Sequence, residues 1–292
     1  LTNEYRALKV HITGVVQGVG FRPFVYGLAT HYELTGWVCN TSAGVDIEVE
    51  GLSEALEGFA AALTEQAPPL ARIETVTVQE IAVDGYTQFS IRHSQALSGA
   101  FQPISPDICI CDDCLRELFD STDRRFRYPF INCTNCGPRF TIIRDLPYDR
   151  PQTTMADFGL CPDCQAEYDD PMNRRFHAQP NACPVCGPQV ELWVQHAECQ
   201  HSECQHTECG TIQLRFRADE AVKNARALLA EGKTVAVKGL GGFHLACDAT
   251  SDAAVSLLRQ RKGRVEKPFA LMALDLKTVE GFCKVNEQER SL

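Results

Sequence analysis

Apolar and polar residues alternate strictly near the start of the chain, with Leu8, Val10 and Ile12 set against Lys9, His11 and Thr13. This period of two predicts a half-buried strand with His11 on its outer face, where no role is expected for it. A glycine-rich turn, Gly14 to Gly20, follows, and then Phe24, Leu28 and Tyr32 recur at helical spacing. Val45, Ile47 and Val49 alternate with Asp46, Glu48 and Glu50, which predicts another strand after a turn at Gly44. Leu52, Leu56, Phe59, Ala60 and Leu63 form a second helical stripe, with Ser53 as the candidate N-cap and Pro68-Pro69 closing it. Val76 and Val78, then Ile81 and Val83, alternate with a slip at Gln79-Glu80, which predicts a bulged strand. Phe89 and Ile91 end a final strand. Residues 5–93 are assigned the split βαβ, ferredoxin-like order β-α-β-β-α-β, although alternation marks only one strand between the two helices.

The periodicity then breaks. Residues 94–108 are rich in Ser, Gly and Pro and read as a linker, and 109–190 is a loop-rich stretch dense in cysteine. A second joint spans 191–213 and contains three tandem pentapeptides, Gln-His-x-Glu-Cys, over 195–209. Their histidines and cysteines could capture a metal, but low complexity favours a surface insertion. Val222, Ala225, Leu228 and Leu229 then mark a helix ended at Gly232, followed by a strand at 234–238, a glycine-rich turn and a helix from near Ser251. That alternation starts an α/β domain over 212–292. The expected class is therefore α+β and multidomain. A partial sheet of this kind would expose a strand edge and apolar surface, so association through 212–292 is expected.

Composition excludes some classes of function. Hydrophobic content of 44% and charged content of 23% are ordinary for folded domains. The chain has no apolar run long enough to span a bilayer and no signal-peptide pattern at its start. A net charge of −10 speaks against nucleic acid as a partner. Fifteen cysteines without a secretion signal point to metal or redox sites in the cytoplasm rather than to a disulfide framework.

The cysteines are duplicated. Cys111-x2-Cys114, a gap of 18 residues and Cys133-x2-Cys136 recur, 50 residues on, as Cys161-x2-Cys164 and Cys183-x2-Cys186. Arg124-Arg125-Phe126 recurs as Arg174-Arg175-Phe176, and Glu117 as Glu167. Two Cys-x-x-Cys turns supply a tetrahedral four-thiolate shell for zinc with no open position, so two structural zinc ions are expected. Redox dithiols are the competing reading, and ligand sharing between repeats is open, with local sites favoured. The paired arginines read as a solvated face or as partners of nearby carboxylates, or alternatively as phosphate contacts.

The segment Gln17-Gly18-Val19-Gly20-Phe21-Arg22 joins a strand to a helix, where main-chain N–H groups and a guanidinium can cradle a phosphate. With Gly36-Trp37-Val38-Cys39-Asn40 and the element order, it resembles the acylphosphatases over about 90 residues. That resemblance implies that Arg22 holds the phosphate and Asn40 orients the attacking water. In the third region, Lys233–Lys238, Leu245–Thr250, Arg261–Arg264 and Lys267-Pro268-Phe269 resemble the YrdC-like nucleotide-binding fold. This resemblance implies that Lys262 and Arg264, with Lys267 nearby, bind nucleotide phosphates. Lys238 and His244 are further candidates in a turn that departs from the family pattern, and Cys247 reads as packing.

The three parts in this order resemble the N-terminal portion of the carbamoyltransferases of nickel–iron hydrogenase maturation. The resemblance implies hydrolysis of carbamoyl phosphate at the first domain and carbamoyl-adenylate formation from ATP, with magnesium, at the third. The carbamoyl group then passes to the C-terminal cysteine of a partner maturation protein, as the cyanide precursor. The expectation is that this stretch hydrolyses acyl phosphates but does not complete the transfer. Two other readings use the same residues: a zinc-bearing nucleic-acid module, opposed by the acidic balance, and an inactive scaffold, opposed by the presence of both Arg22 and Asn40.

Overall fold

The computed structural model describes residues 4–96, 103–195, 212–264 and 266–291, which divide into two compact units, one within 1–190 and one within 191–292. Residues 5–91 form a five-stranded sheet with two helices. The strands are β1 (Tyr5–Val15), β2 (Thr35–Thr41), β3 (Gly44–Leu52), β4 (Arg72–Ile81) and β5 (Phe89–Ile91), in the order β4-β1-β3-β2-β5. Helices α1 (Phe21–His31) and α2 (Ser53–Glu65) cover the sheet. The period-two residues behave as expected. Val10, Ile12, Val45, Ile47 and Val49 are fully buried beneath Val25, Leu28, Leu56, Phe59 and Leu63.

Four local expectations are corrected. The bulge read at Gln79-Glu80 is absent, because both residues keep register with Lys9 and Leu8; the shift lies at Thr13/Gly14 instead. As an edge strand that is mostly exposed, β4 does not need its apolar residues on one face. Val83 lies beyond β4, and the chain crosses to the opposite edge, where β5 pairs parallel to β2. Glu50, which alternation places on the outer face, is buried at 1% exposure because that crossing covers it. Its carboxylate accepts from the main-chain N–H groups of Asp84, Gly85 and Tyr86 and so holds the crossing in place. Ser53 is the first residue of α2 rather than its cap, and its hydroxyl donates to the Glu4 carbonyl at 2.9 Å. His11 does face outward, but its Nδ1 lies 2.5 Å from Asp46 of the neighbouring strand.

Beyond the sheet, α3 (Asp112–Phe119) and α4 (Pro162–Asp169) each start right after the first cysteine of a repeat. In the second unit, β6 (Glu191–Gln195) pairs antiparallel with β7 (Ile212–Arg217), so the joint read over 191–213 opens with a strand. The pentapeptide residues 196–209 lie outside the described residues. Helix α5 (Ala218–Ala230), the hairpin of β8 (Val235–Lys238) and β9 (Phe243–Ala246), and α6 (Asp252–Lys262) follow. Ser251 caps α6 by accepting from the Ala254 N–H. Leu240, Phe243, Leu271, Met272 and Leu274 are exposed, as expected of a small sheet with little over it. Among the described residues, no helix is long and apolar enough to cross a membrane.

Candidate active site and metal centres

The loop between β1 and α1 makes its turn on two left-handed glycines, Gly18 at φ 72° and Gly20 at φ 75°, a conformation that costs side-chain-bearing residues energy. Gly20 is also the N-cap of α1, so the free N–H groups of the first helical turn open onto the loop. Arg22 sits in that turn, and β2 carries Asn40 into the same cleft. Both are buried, at 7% and 2% exposure. Asn40 Oδ1 has no hydrogen-bond partner, which marks a position where a polar ligand or water belongs.

Of the loop residues singled out from sequence, Gly18, Gly20 and Phe21 line the cleft, whereas the Val19 side chain packs into the core. Gln17 braces the loop. Its amide donates to the carbonyls of Thr41 (2.7 Å) and Gly44 (3.0 Å) and accepts from the Tyr148 N–H at 3.0 Å.

The opposite wall comes from the cysteine module: Thr134, Arg139, Tyr148, His177, Ala178, Gln179 and Pro180. Arg22 Nη2 donates to Asp149 Oδ1 at 2.7 Å, and Nη1 to Ser94 Oγ at 3.2 Å. Burial, helped by the positive charge of Arg22, holds His177 down at about 4, so this imidazole is neutral at physiological pH. Burial also pushes Tyr148 up to about 12. The cleft therefore presents guanidinium groups, main-chain N–H donors and neutral rings, a set suited to a small phosphorylated anion.

Cys111, Cys114, Cys133 and Cys136 converge in one cluster, and Cys161, Cys164, Cys183 and Cys186 in the other, so each cluster is local to one repeat. Neighbouring sulfurs stand 3.5–3.9 Å apart in the first cluster and 3.6–3.7 Å apart in the second. A tetrahedral shell with bonds of about 2.3 Å has edges of about 3.8 Å, whereas a disulfide would bring two sulfurs to about 2.05 Å. The residues thus fit structural zinc.

The repeated arginines cross over between the repeats. Arg124 of the first repeat donates to Cys164 Sγ at 3.0 Å and to both oxygens of Glu167. Arg174 of the second donates to Cys114 Sγ at 3.1 Å and to Glu117. Burial opposes ionisation of Glu167, but hydrogen bonds from Arg125 and Arg124 outweigh it and hold the carboxyl down at about 2. The arginine pairs serve carboxylates and thiolates here, in line with the carboxylate reading.

In the second unit, Lys238 and His244 project from the exposed β8–β9 hairpin, Lys238 with its Nζ 4.9 Å from the Phe243 ring. Lys262 ends α6, and Arg264 follows it and lies over Phe269 at 5.7 Å. The exposed Lys267 offers its carbonyl to Arg259 at 3.1 Å. Among the described residues, no hydrogen bond or ion pair joins the hairpin pair to the three residues at the end of α6. Cys247 is half-buried.

Comparison with known proteins agrees with this division of the chain. The acylphosphatase family model matches residues 8–91, the HypF finger model matches 110–143 and 160–193, and the Sua5/YciO/YrdC model, described as telomere recombination, matches 227–292. The HypF carbamoyltransferase of Synechocystis sp. is 49% identical over 267 residues, covering 91% of this chain and 33% of the relative. A crystal structure of full-length HypF in its phosphate- and nucleotide-bound form matches 99% of this chain and 36% of its own, with a TM-score of 0.86 and 47% identity. The chain corresponds to the N-terminal portion of the HypF carbamoyltransferases. It spans about a third of the length of the curated relatives it matches. An acylphosphatase of Salinibacter ruber is 43% identical over 93 residues, 31% of this chain and 97% of that protein.

Sequence reasoning reached the loop, Arg22, Asn40 and the eight cysteines. It missed the far wall of the cleft, including Arg139, Tyr148, Asp149 and His177. None of these four is itself repeated at the 50-residue period, and they come to the cleft or to Arg22 only because the cysteine module folds against the first domain.

Proposed function

We propose that this chain carries the front part of HypF-type carbamoyl transfer, in which carbamoyl phosphate is hydrolysed in the cleft of Gly18, Gly20, Arg22 and Asn40. The phosphoryl group sits on the main-chain N–H groups of the loop and on the Arg22 guanidinium, where donors are already oriented for the charge that develops. Asn40 Oδ1 accepts a hydrogen from the attacking water and aims the oxygen at phosphorus. The P–O bond to the carbamoyl group breaks, leaving phosphate and carbamate. Carbamate then attacks the α-phosphorus of ATP, with magnesium, to form carbamoyl-adenylate and release pyrophosphate at the third region, with Lys238, His244, Lys262, Arg264 and Lys267 as the candidate nucleotide contacts. The carbamoyl acceptor is the C-terminal cysteine of a hydrogenase maturation protein, and the reaction belongs to the cytoplasm. Structural zinc at the two cysteine clusters holds the wall that faces Arg22. The domain limits in this reading are 5–93, 109–190 and 212–292.

The observation that carries the proposal is the buried, unpartnered Asn40 Oδ1 in one cleft with Arg22 and the two left-handed glycines. The phosphate- and nucleotide-bound state of the related HypF structure supports it. The test is phosphate release from carbamoyl phosphate by the chain and by its Arg22→Ala and Asn40→Ala variants, with zinc content as the check on folding. Loss of roughly a hundredfold or more in kcat is expected for Asn40→Ala. Undiminished turnover in either zinc-replete variant would remove the site from this cleft.

A further inference from the structure

The duplication in the cysteine module is broken at Arg139, which reaches the cleft. Gly137-Pro138 is followed by Arg139, whereas the matching Gly187-Pro188 is followed by Gln189. Gln189 is exposed, and its amide donates to the nearby Pro184 carbonyl. Arg139 is 2% exposed and lines the same cleft as Arg22 and Asn40. Its Nε donates to the carbonyl of Gly18 in the loop. The remaining four N–H groups go to the carbonyls of Cys136 (3.0 Å), Pro138 (2.9 Å), Cys133 (3.3 Å) and Thr134 (2.8 Å).

All five donors of this side chain are therefore spent on main-chain oxygens. Four belong to the Cys133–Pro138 turn that closes the first cysteine cluster, and one belongs to the glycine loop. Among the described residues, none of these donors goes to a carboxylate. The Gly18–Val19 peptide unit is planar, so drawing its carbonyl toward Arg139 turns the Val19 N–H the other way and fixes one donor of the loop.

We propose that Arg139 is a positioning residue of the phosphate loop, which ties the loop's affinity for a phosphoryl group to the geometry of the first cysteine cluster. This inference rests on the cleft being the acyl-phosphate site. The second cluster has Gln189 at the equivalent place and makes no such tie. The module thus uses one copy of its repeat to hold the catalytic loop.

The experiment is titration of inorganic phosphate into the zinc-loaded full chain, its Arg139→Gln and Arg139→Lys variants, and Gln189→Ala as the control. Arg139→Gln installs the residue that the second repeat already carries there, so the turn has a precedent for folding with it. Both Arg139 variants should keep two zinc ions and bind phosphate roughly tenfold to a hundredfold more weakly, the usual effect of removing an orienting partner. The lysine variant tests the fork of donors apart from the charge. With carbamoyl phosphate the loss should fall on KM, with kcat changed much less, because the loop holds the phosphoryl group before and during reaction alike. Gln189→Ala should bind phosphate as the parent does. Unchanged phosphate affinity and KM in both zinc-replete Arg139 variants, with Arg22→Ala still abolishing binding, would overturn the role of Arg139 and leave the cleft intact. If the parent itself does not bind phosphate, the reading of the cleft fails, and this inference fails with it.

Discussion

Replacing Arg174 with Met tests whether the two metal centres hold each other's ligands. Arg174 belongs to the second repeat, yet its Nη1 donates to Cys114 Sγ of the first cluster at 3.1 Å while its other nitrogens hold Glu117. Met keeps much of the apolar stem and removes the charge and the donors. Arg175 remains on Glu117, so that carboxylate keeps a partner. A hydrogen bond to a charged group contributes about 1.5–3 kcal/mol. The Arg174 side chain is 24% exposed, so the lower part of that range, about 1.5–2 kcal/mol, applies. At about 1.4 kcal/mol per factor of ten, the first cluster should bind zinc roughly 10–30-fold more weakly. Chelator competition measures the affinity, and cadmium NMR with one resonance per site assigns the loss to Cys111, Cys114, Cys133 and Cys136. The mirror variant Arg124→Met should weaken the cluster of Cys161, Cys164, Cys183 and Cys186 instead. If Arg174→Met weakens the second cluster, or neither, the crossed arrangement contributes nothing to metal retention and the reasoning is refuted.

Three further outcomes are expected. Asp149→Asn keeps a hydrogen-bond acceptor beside Arg22 but removes the charge that competes with an incoming anion, so phosphate should bind several-fold to about tenfold more tightly by calorimetry, and weaker binding would mean that the carboxylate is needed to orient Arg22. His177 is held at about 4 in the folded chain against 6.5 when free, so between these values the unfolded chain binds the extra proton and stability falls as pH drops, by at most about 1.4 kcal/mol per pH unit. His177→Asn suits the residue's φ of 53° and should flatten the decline of the urea midpoint from pH 6.5 to 4.5; an equal decline in parent and variant would assign it to other groups. Gly36 has φ 136°, and a β-carbon there would stand 2.0 Å from the Glu48 carbonyl oxygen, so Gly36→Ala should cost roughly 2 kcal/mol or more, read as a lowered Tm, and an unchanged Tm would mean that β2 and β3 can part without penalty.

Where the environment of a residue is local, the sequence was a good guide. Alternation at Leu8–Thr13 and Val45–Glu50 was legible because one face of β1 and β3 packs under α1 and α2. It failed at Glu50 because a segment crossing to the far edge of the sheet covers it, and at β4 because that edge strand is mostly exposed; periodicity carries no information about what covers a face. The cysteine spacing announced four-thiolate sites, since two Cys-x-x-Cys turns are short-range geometry. Which arginine serves which cluster was not legible, because the exchange between repeats joins residues 40 and 60 apart.

By itself, the sequence indicated both helices and the strands β1 and β3 of the first sheet, the glycine loop with Arg22 and Asn40, and the eight paired cysteines, which follow from local periodicity or short spacing, whereas β2, which carries Asn40, is not among the strands that alternation marks. Only the tertiary structure decided that the cysteine module closes the cleft, that Asp149 takes one edge of Arg22, and that Arg139 spends all its donors between a cysteine turn and Gly18. The bonds from Arg22 to Asp149 and from Arg139 to Gly18 span 127 and 121 residues, and they form because burying a charged or polar group requires partners wherever the fold brings them.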